Sequence, residues 1–189
     1  MNIFIDLDGT LYDTESVQKG KTLAHLLLAE LNAPLFDYAK DAIEDFCKEG
    51  ASCFIVTGRG CMDDEEVQIT KRRLREDGFL IPVNIPQPLL TGAAFYARSK
   101  FKAISDIYGR FYNSDVDKSN TLLIDNDISQ IIEAALGGIK TILFAKDCGY
   151  IGKETQELLD KLNVNIAYSW QGVQEIVNGG LDHQGSERS

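Results

Sequence analysis

The stretch Ile3-Phe4-Ile5-Asp6-Leu7-Asp8-Gly9-Thr10 runs an apolar strand-like segment into two carboxylates one residue apart. Strand side chains alternate between faces, so Asp6 and Asp8 point to one side at or just beyond the strand's end. Carboxylates that close repel unless a cation lies between them or one is protonated. An exposed turn has no need of Ile3, Phe4, Ile5 and Leu7, so the segment reads as a buried strand delivering acids to a crevice. Parallel sheets bind ligands at the carboxyl ends of their strands, where these acids would stand. Gly9 allows a tight turn, and Thr10 offers a hydroxyl to a bound anion.

Strand-like and helix-like segments alternate outward from there. Val17, Ala24, Leu27, Leu28 and Leu31 share a helical face that Pro34 ends; Ala39, Ile43, Phe46 and Cys47 share another, ended by Gly50. Cys53-Phe54-Ile55-Val56 reads as a second buried strand ending in Thr57-Gly58-Arg59. Residues 63–77 read as a helix with acids leading and bases trailing, as the helix dipole favours. The Pro-punctuated residues 79–91 allow only a short edge strand. Ala94, Ala97, Phe101, Ile104, Tyr108 and Phe111 recur at helical spacing. Strand Thr121-Leu122-Leu123-Ile124 ends in Asp125, and Asp127 with Gln130 has the spacing of a capping box. A helix marked by Ile131, Ile132, Ala135 and Leu136 follows, then strand Thr141-Ile142-Leu143-Phe144. Leu158, Leu159 and Leu162 mark a further helix, Asn165–Tyr168 a last strand, and Val173, Ile176 and Val177 a terminal helix. Such alternation implies an α/β protein with a mainly parallel sheet covered on both faces. A single domain over residues 1–178 is expected, with a flexible tail at 179–189.

Composition narrows the function. A formal charge of −10 disfavours broad binding to nucleic acid or anionic membranes, while suiting a divalent cation held by carboxylates. No apolar run has the length of a membrane span and residues 1–15 do not resemble a leader, so a cytoplasmic protein is expected. The four cysteines form no Cys-x-x-Cys pair and only His25 and His183 could join them, which argues for reduced, partly buried thiols and against zinc. Three strands end in polar groups: Asp6 and Asp8, Thr57 and Arg59, and Asp125. In a parallel sheet these ends share one edge. With Lys100 or Lys102 added, the set suits a phosphate ester bound through Mg²⁺.

These motifs, in this order, resemble those of phosphatases of the haloacid dehalogenase-like superfamily over nearly the whole chain. Asp6-Leu7-Asp8-Gly9-Thr10 is similar to the first motif, Ile55-Val56-Thr57-Gly58-Arg59 to the second, Lys100 to the third and Leu123-Ile124-Asp125-Asn126-Asp127 to the fourth. The resemblance implies a three-layer α/β/α Rossmann-like sandwich and a Mg²⁺-dependent phosphomonoesterase. It implies Asp6 as nucleophile forming an aspartyl-phosphate, and Asp8 as general acid/base. Thr57 and Lys100 complete the catalytic set; Thr10, Thr57, Gly58 and Lys100 bind the phosphoryl group; Asp6, Asp8 and Asp125 bind the metal. Lys100 is preferred over Lys102 because Ala103, Ile104 and Ile107 follow it at helical spacing. Asn126 stands where the family often has a second acid. An acid at position 8 disfavours dehalogenation, since it is alkoxide departure that needs a proton.

Neither the interval from Thr10 to Thr57 nor that from Arg59 to Lys100 leaves room for a substantial cap domain. An open site suits a phosphorylated small molecule or macromolecule, a nucleic-acid end included. A phosphotransferase using the same intermediate, or a weakly catalytic regulatory module, would share these residues. Gly20-Lys21-Thr22 lacks the first glycine of a P-loop, and Lys71-Arg72-Arg73 reads as a solvated helix face.

Overall fold

A computed structural model describes residues 1–14, 16, 32–57, 64–79, 83–84, 99–146 and 151–180. Six strands form one sheet: β1 (Asn2–Ile5), β2 (Ser52–Val56), β3 (Val83–Asn84), β4 (Thr121–Asp125), β5 (Lys140–Phe144) and β6 (Asn165–Ala167). Their spatial order is β3-β2-β1-β4-β5-β6, and every pairing is parallel. The chain builds outward from β1 to β3, then crosses back to lay β4 on the other side of β1. That reversal makes the β1/β4 junction the switch point, where an open α/β sheet leaves a crevice.

The helices are α1 (Ala39–Lys48), α2 (Asp64–Glu76), α3 (Lys100–Ile107), α4 (Ile128–Leu136), α5 (Lys153–Lys161) and α6 (Trp170–Asn178). Strand alternation sorts the core into two layers. Ile3, Ile5, Ile55, Leu122, Ile124, Ile142 and Phe144 pack with Ile43 and Phe46 of α1, Leu74 of α2 and Trp170 of α6. Phe4, Val56, Leu123 and Leu143 face the opposite way, onto Ile104 of α3, Ile131 of α4 and Leu159 of α5. Central strands buried on both faces are why these segments read as unbroken apolar runs. No cap domain stands among the described residues, and none of their helices is long and apolar enough to cross a membrane.

Several helical faces differ from expectation. Cys47 is exposed, because α1 buries Ala39, Ala42, Ile43 and Phe46 and turns away in its last turn. Leu136 is exposed, since the buried face of α4 is centred on Ile131 and Ala134 and Leu136 lies well round the helix. Phe111 is exposed because the chain widens after α3 into a π-helical turn over Tyr108–Tyr112. Each residue of that turn advances less round the axis, so the α-helical spacing no longer returns Phe111 to the core. The edge strand shortens to Val83–Asn84. The helix expected over residues 17–31, His25, His183, Cys61, Cys148 and the tail from 181 lie outside the described residues.

Candidate active site

β1 and β4 each deliver one acid to the switch point. The ladder carries on past β1, with the Asp6 N–H donating to the Ile124 carbonyl at 2.9 Å. Asp125 is the last residue of β4 and wholly buried; Asp6 is nearly so. Lys100, the first residue of α3, reaches both: its Nζ donates to Asp6 Oδ1 at 2.6 Å and to Asp125 Oδ2 at 2.5 Å. Groups 94 and 25 residues apart in the chain thus meet on one ammonium. Lys102, two residues on, is exposed at the surface.

One cation between two buried acids leaves excess negative charge. Burial pushes the Asp6 carboxyl above its usual range; Lys100 opposes this and the charge of Asp8 adds to it. Asp125 is pushed up to about 7 by burial, with Asp6 adding and Lys100 opposing. For Lys100, burial pulls downward, but the Asp6 and Asp125 charges and their hydrogen bonds outweigh it and hold the ammonium above its usual range. Both acids are therefore primed to take a second positive charge.

The loop after β1 is tightly folded. The Gly9 N–H donates to the Tyr12 carbonyl, and the Leu11 and Tyr12 N–H groups both donate to the Leu7 carbonyl. Gly9 has φ +73, and a Cβ there would run into the Asn126 amide, so only glycine fits. Remote elements hold this loop. Trp170 Nε1 of α6 donates to the buried Thr10 carbonyl at 2.9 Å. Tyr12 Oη donates to Asp77 Oδ2 at 2.5 Å, while the Arg73 guanidinium lies 4.4 Å from the Tyr12 ring centroid and pairs with Asp77. None of these supports was read from the sequence. Their traces there are a lone tryptophan on an amphipathic helix and the four-residue spacing of Arg73 and Asp77.

The remaining motif residues are distributed as follows. Thr57 is buried directly after β2, while Gly58 and Arg59 lie outside the described residues. The Thr10 hydroxyl donates to Asn126 Oδ1 at 3.3 Å. Asp8 is half-buried, close enough to Asp6 to act on its charge. Asp127 caps α4, accepting from the Ser129 N–H at 2.8 Å. The capping box is not formed: the Asp127 N–H donates to Asp125 Oδ1 at 2.8 Å, and Gln130 Oε1 accepts from the Lys100 N–H at 2.8 Å. The acid two residues back lies nearer the Asp127 amide, so Gln130 turns to a neighbouring helix.

No trio of His, Cys, Asp or Glu among the described residues is gathered into a ready metal cage. The donor chemistry nevertheless fits Mg²⁺. Two buried carboxylates share a single lysine beside the half-buried Asp8, and Mg²⁺ takes one or two protein carboxylates, keeping water or phosphate oxygens for its other positions.

No protein-family model matches the sequence, and no curated protein does. Solved structures do match. A predicted phosphatase from Clostridium acetobutylicum is 12% identical with a TM-score of 0.65, over 95% of this chain and 98% of that one. An uncharacterized protein from Listeria monocytogenes serotype 4b is 20% identical with a TM-score of 0.68, over 94% and 97%. The D,D-heptose 1,7-bisphosphate phosphatase from B. bronchiseptica, complexed with magnesium and phosphate, is 14% identical with a TM-score of 0.62, over 94% and 98%. With a haloacid dehalogenase-like family protein from Streptococcus pneumoniae also among these likenesses, the chain has the fold of the haloacid dehalogenase-like hydrolases.

Proposed function

We propose that the protein is a Mg²⁺-dependent phosphomonoester hydrolase working through an aspartyl-phosphate on Asp6. The observation that carries this reading is the Lys100 ammonium, bonded to both Asp6 and Asp125 at the β1/β4 switch point. The likeness to a phosphatase complexed with magnesium and phosphate supports it. Lys100 orients the Asp6 carboxylate and offsets its charge as a phosphate dianion approaches. Asp6 attacks phosphorus, forming an acyl-phosphate bond as the ester P–O bond breaks. Asp8 gives its proton to the departing alkoxide, then takes one from the water that attacks the phosphoenzyme. That second attack breaks the Asp6–phosphorus bond and releases inorganic phosphate. By the motif resemblance Thr57, Thr10 and Gly58 would hold the phosphoryl oxygens. Asp6 and Asp125, with the Asp8 backbone carbonyl, would hold Mg²⁺, which supplies further neutralisation of phosphoryl charge.

Phosphomonoesters of small metabolites or of macromolecules, nucleic-acid ends among them, are the substrate class. With no cap domain among the described residues, several should be hydrolysed at comparable rates. The test is hydrolysis of p-nitrophenyl phosphate and an alkyl phosphate, with Mg²⁺ and with chelator. Asp6→Asn should abolish both activities. Asp8→Asn should slow the alkyl ester far more than the activated phenyl ester, whose leaving group scarcely needs a proton. A wild-type protein inert with Mg²⁺, or an active Asp6→Asn variant, sinks the proposal.

A further inference from the structure

We propose that Gln130 is a positioning residue: its side-chain oxygen, accepting from the Lys100 N–H, sets where the Lys100 ammonium stands between Asp6 and Asp125. The first amides of a helix have no partner within it. At the start of α3 the Lys102 N–H goes to Ser99 Oγ and the Ala103 N–H to the Ser99 carbonyl. Neither bond holds Lys100 itself. Its amide is met instead by Gln130, a half-buried residue 30 positions on in the first turn of α4.

That same turn also fixes Asp125. The Asp127 N–H holds Asp125 Oδ1, while Asp127's own carboxylate is engaged by the amide and hydroxyl of Ser129. One helix start therefore carries both halves of the ion pair: Asp125 through the strand it follows, and the Lys100 backbone through Gln130. The Lys100 ammonium stands on a flexible four-carbon stem, so holding its backbone through Gln130 narrows the set of positions the ammonium can take. A misplacement of about 1 Å in a reacting group can cost on the order of a hundredfold in rate.

The kinetic part of the test rests on the phosphatase reading; the spectroscopic part does not. Gln130→Met keeps the side-chain length and removes the acceptor; Gln130→Glu keeps an oxygen at the same reach. Melting temperature, kcat and KM for p-nitrophenyl phosphate, and the ¹H–¹⁵N signal of the Lys100 ammonium are measured for each, that signal being assigned with Lys100→Gln. An ammonium held by two carboxylates exchanges slowly enough to be seen. Gln130→Met should stay folded, lose that signal, and lower kcat about tenfold or more with KM changed by less than about threefold. Gln130→Glu should restore signal and kcat together. If Gln130→Met keeps the signal with kcat within about twofold of wild type, or if Gln130→Glu is as impaired as Gln130→Met, the proposal is wrong. Should the wild-type protein hydrolyse no phosphoester, the signal alone decides. Its persistence in Gln130→Met overturns the assignment, and its loss there with recovery in Gln130→Glu upholds it.

Discussion

The two acids that meet on Lys100 are supported in opposite ways. Asp125 is held by its own neighbourhood: the amide two residues on donates to it, and the α4 cap follows at once. The loop carrying Asp6 and Asp8 is tied down from afar, by Asp77 at a separation of 65 residues and by Trp170 at 160. The β4 arm is therefore positioned by local chain geometry. The β1 arm, folded on itself through the Leu7 and Tyr12 carbonyls, is held in addition by the docked α2 and α6. Loss of the Asp127 cap should stay local, because the Asp127 N–H that holds Asp125 survives it, whereas loss of a remote tie on the β1 loop should reach the reacting atoms through packing.

The largest effect is expected where the two arms share a partner. Lys100→Met removes the cation and leaves Asp6 facing Asp125, so it should cost about 3–5 kcal/mol of stability, as breaking a buried pair does. Urea unfolding measures it, and a loss under about 1 kcal/mol would mean that the arms do not depend on their common lysine.

The same pair sets a pH dependence in chelator-treated protein. Asp125 titrates at about 7 when folded, against an ordinary value of 3.8, so between those pH values the folded state binds the proton more tightly than the unfolded chain. Stability should then fall as pH rises through that window. Mg²⁺ should stabilise more at the upper end, where the acids it needs are ionised. A melting temperature that climbs across the window without Mg²⁺ would contradict this.

Next in size is Trp170→Phe, which keeps an aromatic side chain but removes the indole N–H and leaves the Thr10 carbonyl buried without its donor. It should cost about 1–3 kcal/mol and lower turnover as well, although Trp170 touches no reacting group. Asp127→Ala, the matching cut in the β4 arm, should cost about 0.5–2 kcal/mol as a lost cap, with turnover largely kept. If Asp127→Ala harms turnover more than Trp170→Phe does, the contrast between the arms is mistaken. Smallest is Tyr12→Phe, about 0.5–1.5 kcal/mol, because Asp77 keeps its Arg73 partner.

The same contrast explains what could be read from the sequence. β1, β2, β4 and β5 were legible because strands buried on both faces are apolar throughout. Asp6, Asp125 and Thr57 were legible because they end such strands. Lys100 could be preferred over Lys102 because Ala103, Ile104 and Ile107 repeat at helical period, and only Lys100 proves to meet the acids. Arg73, read as part of a solvated helix face, instead lies over the Tyr12 ring. Gln130, Trp170, Tyr12 and Asp77 were not legible in these roles, since the Gln130–Lys100, Trp170–Thr10 and Tyr12–Asp77 bonds span elements whose docking no local pattern encodes. Gln130 was misread for that reason. The capping-box spacing is a local signal, and a nearer acid on one side and a remote amide on the other overrode it. Phe111 was misplaced because a π-helical turn changes the period without altering composition.

The most direct test of the central claim is to quench the protein in acid during turnover of p-nitrophenyl phosphate with Mg²⁺ and weigh its peptides. The account predicts one added phosphoryl group on the peptide containing Asp6, accumulating in Asp8→Asn and absent in Asp6→Asn. Turnover with no phosphorylated peptide in either wild type or Asp8→Asn, or a phosphoryl group on another residue, would contradict it.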